Sequence, residues 1–242
     1  MIITRTPFRI TLGGGGTDLP SYYLDHGGFI FSMCINKYMY LMLNRRQLTD
    51  RKICIRYNKV ELVDSIDDIE HPLAREALRL HDIRESVELT SIADLPARTG
   101  LGSSGAYLVG LLTAIHAYKR AGVSIHDIAE EACNIEMHIL NEPVGKQDQY
   151  MAAYGGFRVL DIEKTGKVHV QNVPLDFMLV NELVQKSRMY YTGVQRSANA
   201  VLKTQDDAAR EKESDDHSRV VDSLSNIKEI GLQILKAFQD GD

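Results

Sequence analysis

Pro96-Ala97-Arg98-Thr99-Gly100-Leu101-Gly102-Ser103-Ser104-Gly105 runs directly into AYLVGLLTAIHAYKR, which ends at Arg120. The second stretch is apolar on nearly every side, the pattern of a helix buried all round, and Gly122 is expected to close it. Upstream, Val87, Leu89 and Ser91 alternate with polar residues as a half-buried strand does. The Gly-rich segment is therefore a strand-to-helix turn. The first amides of a helix lack intrahelical partners and carry the positive end of its dipole, so glycines here let a polyphosphate approach them. Gly100, Gly102 and Gly105 supply that access, and Ser103 and Ser104 add hydroxyls for a phosphate oxygen or Mg²⁺. A second reading stays open: a plain turn whose serines cap the helix. The segment has no GK[ST] and is not a Walker A loop.

The first 63 residues read as strands at Ile2–Thr4, Phe8–Leu12, Phe29–Ile35, Tyr38–Leu43, Ile53–Tyr57 and Val60–Val63. His71–His81 reads as a helix. Another starts at Ser124, where Asp127 three residues on resembles a capping box, and runs to about Ile139 on the stripe Ile128, Ala132, Ile135 and Ile139. A short helix and a strand at Phe157–Leu160 follow, then a strand at Met189–Tyr191 turning at Thr192–Gly193. From Ser197 the chain is helical and highly charged, with an apolar-periodic helix from Val220 to Phe238. Strands and helices mix without regular βα alternation, so the expected class is α+β.

With 242 residues, 44% of them hydrophobic and 25% charged, the chain has the composition of an ordinary folded enzyme. A net charge of −5 supplies no basic footprint for nucleic acid, and no nucleic-acid partner is expected. No signal layout and no apolar run of the roughly 18–20 residues that cross a bilayer are apparent, so the expected location is cytoplasmic, without membrane attachment. Cys34, Cys54 and Cys133 are widely spaced among apolar neighbours and read as buried thiols. The eight histidines lack CxxC or HxxxH spacing beside them, so no structural metal is expected.

Three further features can carry chemistry. Glu136 lies about 80° from Ile128 on a helical projection and flanks its helix's apolar stripe. Asp148 follows Asn141-Glu142-Pro143-Val144-Gly145-Lys146-Gln147, an irregular loop feeding a short helix. Two carboxylates and a Gly-rich helix start are what phosphoryl transfer uses: a metal holder, a base or orienter, and amides for the phosphates. Read singly, each acid is equally an ordinary surface carboxylate paired with a nearby cation. Leu12-Gly13-Gly14-Gly15-Gly16-Thr17-Asp18 permits close approach by a ligand or by another strand. Asp18 is suited to sugar hydroxyls and Arg9 to charge near a reacting phosphate.

The order of these motifs resembles the GHMP kinase family over nearly the whole chain. PARTGLGSSGA is similar to that family's PxxxGLGSS phosphate motif, TPFRITLGGGGTD resembles the N-terminal motif of its sugar-1-kinase branch, and IEMHILNEPVGKQDQYMAAYGGF and MYYTGVQRSANAVL resemble the heptose-phosphate kinases. The resemblance implies ATP and Mg²⁺ as cofactors. It implies that Pro96, Gly100, Leu101, Gly102, Ser103, Ser104 and Gly105 hold the ATP phosphates, and that Ser104 and Glu136 hold the metal. Asp148 would orient or deprotonate the attacking hydroxyl, with Arg9 beside it. Gly15, Gly16, Thr17 and Asp18 would contact a sugar or sugar phosphate, foremost the anomeric hydroxyl of a heptose 7-phosphate. Fucose or another hexose, or non-catalytic binding, are the alternatives. A second cationic pocket for a substrate phosphate would draw on Lys146, Arg188 or Arg196.

The resemblance further implies an α+β fold: a ribosomal-protein-S5-domain-2-like N-terminal domain at 1–175 and an incomplete ferredoxin-like C-terminal domain at 176–242. Family members run on for roughly another hundred residues, the size a second domain needs, and carry a third Gly-rich motif absent here. A truncated second domain is therefore expected to leave activity uncertain and to expose Leu232, Ile234, Leu235 and Phe238, with a homodimer as one way to cover them.

Overall fold

A computed structural model describes residues 1–46, 51–97, 99–190, 204, 206–209 and 215–241. The chain divides into two compact units, one comprising Met1–Arg9 and Cys34–Gly155, the other Ile10–Met33 and Gly156–Asp242. Strands β1 (Ile2–Gly13) and β2 (Gly28–Arg45) each pass from one unit into the other.

In the first unit, Met39–Arg45 of β2 pairs antiparallel with β5 (Val87–Ala93). On its other side β5 runs parallel to β3 (Ile53–Arg56), which pairs antiparallel with β4 (Val60–Val63). Helices α2 (Pro72–Leu80), α3 (Ser103–Lys119), α4 (Ile125–Cys133) and α5 (Gln147–Tyr154) complete the unit. As its sequence predicts, α3 is enclosed: Leu108, Leu111, Leu112 and Ile115 are fully buried in one core with Leu41, Leu43, Ile55, Leu78 and Leu89. Each such side chain contributes about 1.5–3 kcal/mol relative to exposure. Gly122 does not close α3. Arg120 adopts the left-handed cap (φ 56°), and the Ala121 N–H reaches back to His116 O. Ser124 caps α4 as its sequence predicts: its Oγ accepts from the Asp127 N–H and donates to Asp127 Oδ2.

In the second unit, Gly28–Met33 of β2 pairs antiparallel with β6 (Phe157–Ile162), which forms a hairpin with β7 (Val168–Asn172). Helices α1 (Pro20–His26), α6 (Phe177–Lys186) and α7 (Asp215–Asp240) belong here. Ile234, Leu235 and Phe238 pack against a core of Phe29, Phe31, Val159 and Val173, with Phe31 and Phe238 edge-to-face at 5.3 Å. The expectation that these three are bared is thus corrected, whereas Leu232 is exposed. The close fit of α7 depends on glycine. A Cβ on Gly231 would stand 2.8 Å from Gly14 N and 3.0 Å from Phe29 Cε1.

Met189 and Tyr190 are not in a strand. Tyr191, the Thr192–Gly193 turn, Arg196 and much of the charged run from Ser197 lie outside the described residues. The three cysteines are thiols outside any disulfide, Cys54 and Cys133 buried and Cys34 half-buried. Among the described residues no helix is long and apolar enough to cross a membrane.

Candidate active site

The Gly-rich turn, α3, the turn after α4 and the start of α5 meet within the first unit. Gly102 is the N-cap of α3, in the left-handed conformation (φ 77°), and no side chain caps the helix. Ser103 and Ser104 are its first two residues, so the reading in which serines cap the helix is not what is observed. The turn is held from outside. The Arg9 N–H donates to Leu101 O (3.1 Å) and Arg9 Nη1 to Gly100 O (2.9 Å).

The same guanidinium grips Asp148, in the first turn of α5, with Nε 2.7 Å and Nη2 2.5 Å from Oδ1. Side chains are crowded where turn and helix meet: a Cβ on Gly102 would stand 3.3 Å from Arg9 Cγ and Asp148 Cγ, and one on Gly105 only 2.8 Å from Asp148 C and Cβ. Two of the motif's glycines thus serve to bring α3 against α5. Pro96 and Gly100 are exposed, Leu101 is half-buried on the core, and Thr99 Oγ1 closes the turn onto Pro96 O.

Glu136 is only 2% exposed. It sits not in α-helix, as its sequence suggests, but in a π-helical turn, Asn134–Ile139, that continues α4. Leu140 N bonds Ile135 O and Glu142 N bonds Glu136 O, the wide pattern of a π-bulge, a device frequent at functional sites. Burial is the main force pushing the Glu136 carboxyl up to about 7; hydrogen bonds from Ser104 and Gln149 oppose it, and the charges of Asp148 and Glu142 add to it. Gln149 Nε2 donates to Glu136 Oε2 at 2.5 Å, while Gln149 Oε1 is buried without a hydrogen-bond partner. The Glu136 carboxylate, the Ser104 hydroxyl and the Gln149 carbonyl oxygen are hard oxygen donors, the ligand type Mg²⁺ takes. Sequence reasoning missed Gln149, whose one signal was its place beside Asp148.

Arg9, Ser104, Glu136 and Asp148, far apart in sequence, therefore converge. Lys146 is committed to Glu130, with Nζ 2.8 Å and 3.0 Å from its two oxygens. Arg188 Nη1 donates to Gln185 O and Ser187 O. Gly15, Gly16, Thr17 and Asp18 belong to the second unit. There Thr17 is fully buried, its hydroxyl 2.8 Å from Gly14 O and Phe29 O and accepting from the Phe29 N–H, and Asp18 is 1% exposed.

Residues 70–156, which hold the turn, α3, Glu136 and Asp148, match the family described as GHMP kinases N terminal domain. This segment is a GHMP kinase N-terminal domain. Beyond it, the chain is 28% identical over 212 residues to the D-glycero-alpha-D-manno-heptose 7-phosphate kinase of Campylobacter jejuni, covering 83% of this chain and 62% of that protein. It is 26% identical over 232 residues to the L-fucokinase/L-fucose-1-P guanylyltransferase of Bacteroides fragilis, covering 82% of this chain but 24% of that one. The chain thus spans less than two thirds of the length of either relative. The crystal structure of a D-glycero-D-manno-heptose 1-phosphate kinase from Bacteroides thetaiotaomicron superposes with a TM-score of 0.73 at 24% identity, over 98% of this chain and 80% of that one. The mixed α+β fold is that of the GHMP kinases.

Proposed function

We propose that this GHMP kinase domain transfers the γ-phosphoryl group of ATP to a hydroxyl of a sugar or sugar phosphate, foremost the anomeric hydroxyl of a heptose 7-phosphate. The observation that carries the reading is the convergence of Arg9, Asp148, Ser104 and Glu136 at the open N-terminus of a buried helix. In this reading the Gly100–Gly105 amides receive the phosphates, and Ser104 and Glu136 hold Mg²⁺, which when bound neutralises phosphate charge. Asp148, held through Oδ1 by Arg9, turns Oδ2 to the attacking hydroxyl and takes its proton as the oxygen–phosphorus bond forms and the bond to the ADP oxygen breaks. Arg9 adds fixed positive charge beside the reacting centre. Gly15, Gly16, Thr17 and Asp18 are assigned to the sugar side. Residues 1–175 form the S5-like N-terminal domain in this reading, and 176–242 are part of a ferredoxin-like second domain.

Fucose or another hexose is the second candidate substrate, favoured by the likeness to the L-fucokinase fusion over 82% of this chain. The test is ADP release with heptose 7-phosphate, fucose, mannose and galactose, followed by Asp148→Asn and Glu136→Gln on the best substrate. Each change is expected to lower kcat by at least about 10²-fold. A turnover number unmoved by both would defeat the assignment. Binding of an ATP analogue without ADP release on any sugar would instead indicate a non-catalytic binding protein.

A further inference from the structure

Away from the Ser104–Glu136 cluster, three side chains from three helices meet in the first unit: His81, the C-terminal cap of α2; His116, in the last turn of α3; and Glu131, in α4. His81 Nε2 lies 2.7 Å from Glu131 Oε1 and His116 Nε2 2.7 Å from Glu131 Oε2, and the rings stand perpendicular with centroids 4.7 Å apart. We propose that His81, His116 and Glu131 form a binding site for a zinc-type divalent transition-metal ion, which ties α2, α3 and α4 together.

Four observations carry this. First, two imidazole nitrogens and one carboxylate make a donor set suited to Zn²⁺ and its first-row neighbours, with a fourth position left for water. It differs in kind from the all-oxygen cluster at Glu136. Second, the ligand atoms all lie within 4.8 Å of one another. Metal–ligand bonds of about 2.0–2.1 Å in a tetrahedral arrangement put neighbouring donors about 3.3 Å apart, so the imidazoles, each 2.7 Å from a different oxygen of Glu131, need shift by roughly an ångström to share one ion.

Third, His81 is 10% exposed, and its Nε2, 2.7 Å from Glu131 Oε1, is buried with no partner in good hydrogen-bond geometry. A buried nitrogen so placed is suited to a metal ion. Fourth, the site stands at the C-terminal ends of α2 and α3, where helix dipoles favour a cation. The neighbouring cation, Lys119, directs its Nζ to His81 O and not to the carboxylate. The three positions are 35 and 15 residues apart in sequence, which is why no spacing motif announces them.

The test uses the 242-residue chain freed of metal by chelator and titrated with Co²⁺ as spectroscopic probe, then with Zn²⁺ in competition. The proposal expects one Co²⁺ per chain with visible d–d absorption, displaced by Zn²⁺, and a higher Tm with Zn²⁺. Glu131→Gln, which keeps size and polarity, and His116→Asn should each weaken binding by more than the roughly 100-fold that loss of an outer-shell partner costs. Glu136→Gln should leave it unchanged. Absence of stoichiometric Co²⁺ binding by the parent chain overturns the proposal whatever the variants do. So does binding that survives Glu131→Gln, or that disappears with Glu136→Gln.

Discussion

Arg9 and Asp148, 139 residues apart, form a single clasp in which one guanidinium holds a carboxylate oxygen through two nitrogens and the Gly100 carbonyl through a third. The residue proposed to face the attacking hydroxyl and the turn proposed to receive phosphate are thereby fixed to each other through one side chain. That coupling explains why a planar, forked cation stands at position 9 and predicts that lysine cannot replace it.

Arg9→Lys keeps the charge but cannot reach Asp148 and Gly100 together. On the best sugar substrate, kcat/KM should fall by at least about 10²-fold with Arg9→Ala and recover little of that with Arg9→Lys. In urea unfolding Arg9→Ala should cost about 1–3 kcal/mol, because Asp148, at 24% exposure, keeps part of an unmet hydrogen-bonding demand. Full activity in the lysine variant would rule out the clasp as an organising element.

Glu136 gives the fold a pH dependence of known sign. Burial raises its carboxyl from 4.5 to about 7, so between those values the folded chain retains a proton that the unfolded chain has released. Stability from this group is therefore full below pH 4.5 and declines as pH rises through about 7, by up to about 3 kcal/mol. Glu136→Gln, uncharged throughout, should remove the decline. Urea unfolding of both proteins in metal-free buffer from pH 5 to 8 measures the difference, and parallel profiles would refute it.

His71 contributes the opposite slope. Its Nδ1 accepts from the Ala74 N–H (3.4 Å) at the start of α2 and its ring stacks on Tyr107 at 4.6 Å, so the fold uses the neutral ring. Burial is the main cause of its lowered pKa, with Glu61 opposing. The unfolded chain therefore takes up the proton first, and stability is lost as pH falls below 6.5 through the folded value. His71→Asn can still cap and does not titrate, so its unfolding free energy should vary less than the parent's between pH 7 and 5. His71→Ala, without a cap, should lose about 1 kcal/mol at pH 7.

How much of this was legible in the sequence depends on the range of the force involved. The burial of α3 and the Ser124 cap follow from local pattern and were readable. The strands read separately at Ile2–Thr4 and Phe8–Leu12 are one strand, β1, and α6 was missed although Asp176 caps it through the Met178 N–H. Glu136 was readable as an acid flanking an apolar stripe. Its π-helical turn, its partner Gln149 and its burial were not, since they depend on how α4, α3 and α5 pack. The glycines at 102 and 105 were legible as freedom for the backbone. That they exclude side chains to admit Asp148 was not.

Glycine replacements separate those two uses. At Gly100 an added Cβ meets nothing within 4 Å, so Gly100→Ala should cost only the strain of its positive φ (75°), about 1–2 kcal/mol. At Gly105 the Cβ would lie 2.8 Å from the Asp148 backbone and 3.0 Å from Gln149 N, and backbone cannot swing aside as a side-chain tip can. Gly105→Ala must therefore displace the start of α5, carrying Asp148 off the Arg9 fork and Gln149 off Glu136. Overpacking of this kind costs about 1–3 kcal/mol, and kcat should fall by at least about 10²-fold, since small misplacements at a reacting centre carry penalties of that order. Gly231→Ala, equally crowded against Gly14 N and Phe29 in the second unit, supplies the control for overpacking: a comparable loss of stability is expected with the Arg9–Asp148 clasp untouched. Circular dichroism melts and ADP-release assays on the three variants distinguish the cases. If Gly105→Ala tracks Gly100→Ala in both measurements, the α3–α5 approach is not what positions Asp148.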